Sequence, residues 1–169
     1  MGYHATFSPR GLQVSYAGVL ISDGKSDGDF LTISQNSDRV NIREGMDGWA
    51  SISVLPNHSV TVTYTVFPES STAKKLMAID FALREAERFG SDTGVIISGQ
   101  LPFTITDDSG AVVLFAENAV LVKAGDMTFG ESTGTQEYTF YLQNARLAKL
   151  PESIANEVNG AIKQYGLSF

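Results

Sequence analysis

The sequence predicts an α+β fold: a mainly antiparallel β-sandwich or barrel with one central helix and one C-terminal helix. Three observations predict it. Short runs that alternate apolar and polar residues recur along the chain, separated by turn formers. One long segment with apolar residues at three- and four-residue spacing interrupts them. No βαβ alternation is present, which argues against Rossmann and flavodoxin folds. At 169 residues the chain has the size of one domain. We read 1–169 as that single domain, with a β core over 1–147 and a helical extension over 148–169.

The elements follow in order. Residues 12–21 open with Leu12, Val14 and Tyr16 at alternate positions, and a turn-forming loop follows over 22–29. Residues 30–34 and 39–43 are short strands, the second alternating Val40 and Ile42 with Asn41 and Arg43. A Gly-Met-Asp-Gly turn at 45–48 leads into a strand over 49–55. The clearest strand is 60–67, with Val60, Val62, Tyr64 and Val66 on one face and Thr61, Thr63 and Thr65 on the other. That second face is polar but uncharged, which suits a surface covered by another sheet or subunit.

The central helix is placed over 72–89, capped by Ser70, Ser71 or Thr72 and stopped by Gly90. It is roughly 27 Å long at 1.5 Å per residue. It is expected to bury Leu76, Ile79 and Leu83 on a sheet, with Met77, Phe81 and Phe89 widening that face. Residues 103–106 and 111–115 form a hairpin around Asp107-Asp108-Ser109-Gly110. Its second arm is expected to break at Glu117-Asn118, at a bulge or bend, and to resume over 119–123. Residues 136–147 make a long strand with Tyr138, Phe140 and Leu142 on one face and Glu137, Thr139, Tyr141 and Gln143 on the other. Pro151 opens the last helix, which carries Ile154, Val158, Ile162 and Tyr165 in one stripe and stops at Gly166.

Composition excludes several classes. Apolar residues make up 43% and charged residues 18%, which supports a core and argues against disorder. Twelve Lys and Arg against 19 Asp and Glu give a net charge of −7. A binder that grips phosphates needs the opposite balance. Without cysteine there is no disulfide framework, thiolate metal site or Cys nucleophile. With only His4 and His58, a three-histidine zinc site is ruled out. No run reaches the roughly 18 apolar residues of a membrane helix, and the N-terminus lacks a secretory signal, so no membrane anchoring and a cytoplasmic origin are expected. Met1-Gly2 with Thr6 fits a myristoylation start only loosely.

Candidates for chemistry are weak. Residues 23–29 place acids at alternate positions as a calcium loop does, but Lys25 replaces the second carboxylate and Ser34 the bidentate Glu. The segment therefore reads as an acidic turn. Neither histidine lies in a triad motif, and no nucleophile elbow or phosphate loop occurs. Asp107-Asp108 is ordinary turn chemistry. Trp49, beside Gly48 where a loop becomes a strand, reads as a packing anchor or else as a ligand-stacking platform. No catalytic, cofactor or metal residues are assigned.

One series of segments resembles a known family. It consists of Ile42-Arg43-Glu44-Gly45-Met46-Asp47-Gly48-Trp49-Ala50-Ser51, then Ser59-Val60-Thr61-Val62-Thr63-Tyr64, then Phe67-Pro68-Glu69-Ser70-Ser71-Thr72-Ala73-Lys74-Lys75-Leu76. The downstream segments 103–110, 117–123 and 136–145 fit the same order. The series, spanning roughly 10–147, resembles the tail tube proteins of contractile-tailed bacteriophages and phage-tail-like particles. The resemblance lies in order and spacing and includes no catalytic string.

The resemblance implies a structural subunit, not an enzyme. Such subunits form hexameric rings that stack into a hollow tube, their sheets joining into a β-barrel around the lumen. It implies as partners the protein itself, tail sheath, baseplate and tail terminator proteins, with DNA only transiently in the lumen. It implies a place in the virion or tail-like particle after assembly in the host cytoplasm. The segment 36–57 is the expected ring-to-ring stacking loop, with Asp38, Arg39, Arg43, Glu44, Asp47 and Trp49 as contact candidates. The alternative is a hairpin folded on its own monomer. Thr61, Thr63, Thr65, Glu137, Thr139 and Gln143 are candidates to line the lumen or meet a neighbour, and the net charge implies an acidic-leaning lumen. Other readings are a monomeric β-rich ligand-binding module using Trp49, a hydrolase with an unrecognised acid pair, or a baseplate or capsid ring protein.

Overall fold

The computed structural model describes residues 9–89, 101–108, 112–128, 130–132, 134–147 and 152–166, with side chains from 156 onward in the last segment. Gly90, the expected helix stop, lies outside the described residues, as do Ser109 and Gly110 of the expected turn.

The strands are β1 (Gln13–Tyr16), β2 (Val19–Leu20), β3 (Leu31–Gln35), β4 (Val40–Glu44), β5 (Ala50–Val54), β6 (Val60–Val66), β7 (Leu101–Thr106), β8 (Val112–Ala124), β9 (Gln136–Gln143) and β10 (Arg146–Leu147). The helices are α1 (Ser71–Phe89) and α2 (Glu152–Lys163). All strand pairings are antiparallel, and the main sheet runs β2-β1-β7-β8-β9-β6-β3 with β10 added on β8. Strands β4 and β5 form a separate two-stranded sheet. This is the mainly antiparallel α+β arrangement that the alternating pattern predicts. Among the described residues the main sheet is open, ending in β2 and β3, and does not close into the barrel that was one expected form.

The core lies inside the curl of this sheet. Val14, Tyr16, Val62, Tyr64, Val66, Phe103, Ile105, Leu114, Tyr138, Phe140 and Leu142 are fully buried. At its centre Phe140 meets Tyr16 edge-on at 5.1 Å and Phe103 at 4.9 Å between ring centroids. The three core phenols each reach a carbonyl: Tyr64 donates to Ile21 O at 2.6 Å, Tyr138 to Ala73 O at 3.3 Å and Tyr16 to Ala119 O at 3.4 Å. Tyr64 thereby ties down the loop after β2, and Tyr138 ties α1 to the sheet.

Burial pushes the Tyr16 and Tyr138 phenols up to about 12, and Tyr64 further in the same direction. Asp80 adds to the rise at Tyr138 and Asp23 to that at Tyr64. In the unfolded chain all three titrate near about 10. The fold therefore favours the neutral phenols, and their contribution is complete below about pH 10 and lost as pH rises through about 12. Melting temperature is expected to hold between about pH 7 and 9 and to fall steeply from about pH 10 to 12. A melting curve that stays flat across the alkaline range contradicts this.

Three local outcomes differ from the sequence reading. Strand β8 does not break at Glu117-Asn118. It runs unbroken, and its pairing jumps from Leu101↔Ala119 to Phe103↔Ala116, so Glu117 and Asn118 together oppose Pro102. Proline has no N–H to give the ladder, and a bulge absorbs that loss while keeping Ala116 and Ala119 in the core. The long strand over 136–147 divides at Asn144, whose φ of 50° bends the chain before β10. Helix α1 is capped by Ser70, whose Oγ accepts from Ala73 N at 3.2 Å. Only Thr72, Ala73 and Leu76 of α1 are buried, however. Ile79 and Leu83 are half-buried and Phe81 and Phe89 are exposed, so burial fades along the second half of α1.

The acidic loop over 22–29 packs on the β6–α1 junction. Gly24 (φ 73°) lies so close to Ser70 that a Cβ would overlap it, and its carbonyl accepts from Phe67 N at 2.8 Å. Asp23 accepts from Ser71 Oγ at 3.2 Å. Lys25 turns inward, donating to Pro9 O at 2.7 Å and Leu12 O at 2.5 Å, with Phe30 beneath it at 5.4 Å. Burial lowers the Lys25 pKa, with Asp23 opposing that shift.

Candidate assembly surfaces

The β4–β5 hairpin leaves the sheet where β3 ends and returns where β6 begins. Its base is fixed by polar bonds. Asn36 N donates to Ser59 O at 3.2 Å, and Asn36 Nδ2 donates to Ser59 Oγ at 3.1 Å. Thr61 Oγ1 donates to Asn36 Oδ1 at 2.6 Å, and Ser37 Oγ to Asn57 O at 3.0 Å. At the tip Gly45 N donates to Trp49 O at 2.7 Å and Trp49 N to Asp47 Oδ1 at 3.2 Å, with Gly48 at φ 82°. The sequence Gly-Met-Asp-Gly supplies this turn because Asp accepts from the backbone two residues on and Gly takes the left-handed position.

Between base and tip the hairpin stands clear of the body. Residues 41–54 are all exposed. The register pairs Val40 with Val54, Ile42 with Ile52 and Glu44 with Ala50, and alternates these with Asn41–Ser53 and Arg43–Ser51. One face is thus an apolar stripe of Val40, Ile42, Ala50, Ile52 and Val54 with Glu44 at its tip end, and the other is polar with Arg43. Ile42 is 56% exposed, Ile52 65% and Val54 73%. Such a stripe in water is costly, and an isolated two-stranded hairpin is marginal.

All six hairpin candidates from the sequence are exposed: Asp38, Arg39, Arg43, Glu44, Asp47 and Trp49. Arg43 and Glu44 point to opposite faces, and Asp47 is occupied in holding the turn. Trp49 is 78% exposed and does not anchor the core. The residues missed were Ile42, Ile52, Val54 and the fully exposed Met46. Their signal was present as period-two alternation in both arms, but exposure cannot be read from alternation.

The second surface is the outer face of β3, β6, β9 and the end of β8. Thr61, Thr63, Thr65 and Thr139 are half-buried on it, and Glu137 and Gln143 are exposed. The register brings all six together, Thr63 opposite Thr139, Thr65 opposite Glu137 and Thr61 opposite Tyr141. Among the described residues, β3 pairs only with β6, so this four-strand sector has an open edge there. Open edges of this kind accept another strand.

Among the described residues no three His, Asp or Glu side chains converge to hold a metal, and no helix is long and apolar enough to cross a membrane. Among the described residues the arrangement offers the edge of β3 and one projecting apolar hairpin for association.

The described residues thus form an open antiparallel sheet crossed by α1, with a projecting hairpin. The chain aligns with one from the virion of a native gene transfer agent particle, with TM-score 0.53 and 11% identity over 86% of this chain and 100% of that one. A chain of the anti-feeding prophage tube-terminating cap aligns at TM-score 0.48 and 13% identity over 86% and 93% of the two chains. A chain of the sheath/tube terminator of the extracellular contractile injection system PVC aligns at 0.49 and 14% over 86% and 98%. At such identities the likeness is one of fold. No family model matches the sequence, and no curated protein matches it.

Proposed function

We propose that the protein is a structural subunit of a phage tail or tail-like particle, assembling into rings, six-membered in our reading, that stack into an inner tube. The observation that carries this reading is the exposed apolar stripe of the β4–β5 hairpin, which only a second surface can cover. The edge of β3, paired only with β6 among the described residues, supports ring closure, because a strand of a neighbouring subunit added there continues the sheet around a bore. Thr61, Thr63, Thr65, Glu137, Thr139 and Gln143 then face that bore. The hairpin, continuing beyond the end of β3 and β6, reaches the next ring. Sheath, baseplate and terminator proteins are the partners, DNA passes through the lumen, and the assembled protein resides in the virion. The fold shared with a virion chain supports this placement.

The experiment is negative-stain electron microscopy of the purified chain, with rings or tubes expected. A stable monomer at high concentration refutes the reading and returns Trp49 to the ligand-module alternative. Within the tube reading, the hairpin charges set register. Exposed ion pairs contribute only about 0.2–1 kcal/mol each, whereas like charges brought together oppose docking. Arg43→Glu is expected to shorten tubes and make their length strongly salt-dependent, with an unchanged melting temperature. Tubes of wild-type length at low salt contradict a role for Arg43.

A further inference from the structure

The paired rows on the outer face of β3, β6, β9 and the end of β8 carry no net charge, unlike the chain as a whole. They read Thr32–Thr63–Thr139–Lys123 and Ser34–Thr61–Tyr141–Val120, with Thr65 beside Glu137 and Gln143 beside Asn118. Glu137 and Lys123 are the only charged residues in these rows. At the Gln143 end, Glu117 and Arg146 line a small depression together, again one acid and one base. The net charge of −7 arises elsewhere. In the loop after β2, Asp23, Asp27 and Asp29 outnumber Lys25, and on the hairpin Asp38, Glu44 and Asp47 outnumber Arg39 and Arg43, whereas on α1 Lys74, Lys75, Arg84 and Arg88 outnumber Asp80, Glu85 and Glu87.

We propose that this face is an electrically neutral, hydroxyl-lined wall, so that the bore does not sort solutes by the sign of their charge. The inference rests on the tube reading and replaces the acid-lined bore that the net charge alone suggests. A wall rich in one sign focuses potential into the space it encloses and enriches the opposite ion. A face with equal acids and bases has no such field beyond the reach of its own pairs, since salt screens exposed charges over about 8 Å at physiological ionic strength. Threonine hydroxyls both donate and accept, so the wall stays wetted without fixed charge. A polyanion then meets neither an excess of lysine and arginine that would hold it by counterion release nor an excess of acids that would repel it.

The chain has no cysteine, so Thr63→Cys and, separately, Thr139→Cys each give a unique thiol on this face. Tubes of each variant are first confirmed by electron microscopy. The thiol is then modified with cationic and anionic methanethiosulfonate reagents, each rate divided by that on a small free thiol in the same buffer. The expected cation-to-anion ratio lies within about threefold of one, the range a neutral wall allows. Adding Thr65→Asp to either variant should move the ratio toward the cation by several-fold. A bulky polymer-linked maleimide should react far more slowly in tubes than in unassembled subunits. A wild-type-face ratio above about tenfold toward the cation overturns the neutral wall. Equal reaction of the bulky reagent in tubes and free subunits overturns the placement of this face in the bore. Absence of tubes overturns the reading beneath both.

Discussion

Ile52→Asp is expected to abolish tube formation while leaving the folded subunit intact. Ile52 lies in the middle of the hairpin stripe, paired with Ile42 and 65% exposed in the subunit, so the monomer loses little when it becomes polar. Surface substitutions of this kind stay within about 0.5 kcal/mol, and the melting temperature of the subunit should not move appreciably. Assembly is different. Covering Ile52 contributes about 2 kcal/mol through the apolar area removed from water. Placing a carboxylate there adds a charge that must be desolvated without a partner, at several kcal/mol more. Even about 3 kcal/mol per subunit raises the critical concentration more than a hundredfold for each contact. Electron microscopy and sedimentation should show subunits or single rings for the Asp variant and tubes for Ile52→Val. Tubes of wild-type length from Ile52→Asp contradict the assignment of this stripe as the stacking surface.

Phe140→Ala is expected to have the largest effect on the subunit itself. Phe140 is fully buried on β9, at the centre of the sheet, and touches Tyr16 and Phe103. Its removal leaves a cavity between strands that are far apart in sequence and cannot collapse together without losing register. Phe to Ala in such a core costs about 3–5 kcal/mol. For a chain of this size that lowers the melting temperature by about 10 °C. Thermal unfolding followed by circular dichroism checks this, and a shift under about 3 °C would show that the core repacks around the gap. The contrast between the two substitutions is itself diagnostic. One acts on assembly with a sound subunit, the other on the subunit before assembly begins.

Much of the fold was legible because its strands alternate strictly. Val60 to Val66 and Gln136 to Gln143 announce one buried and one outer face, and each forms as read, with the even-numbered side chains in the core. The cap at Ser70 was legible because only a short polar side chain can satisfy a free helix N–H there. The extent of burial along α1 was not. Phe81 and Phe89 carry the same apolar signal as Leu76, and whether a helix residue is covered depends on where the sheet beneath it stops. The bulge at Glu117-Asn118 was half legible. A polar pair in an apolar strand signals an irregularity, but its form depended on Pro102 lying opposite, in another strand.

The hairpin shows the same division more sharply. Alternation in Val40–Ile42 and Ile52–Val54 determines that these residues share a face, and Gly45 to Gly48 determines the turn between them. By itself, then, the sequence determined the period of each strand, the turns, the cap, the absence of thiol chemistry and the total charge. Those depend on neighbours a few residues away or on simple counts. Only the tertiary structure decided that the stripe points into open solvent, that β3 pairs on one side only among the described residues, and that Glu137 is balanced by Lys123 on the threonine face. Exposure, edge status and the distribution of charge are properties of which strands meet, and strand pairing joins residues too far apart for local pattern to specify.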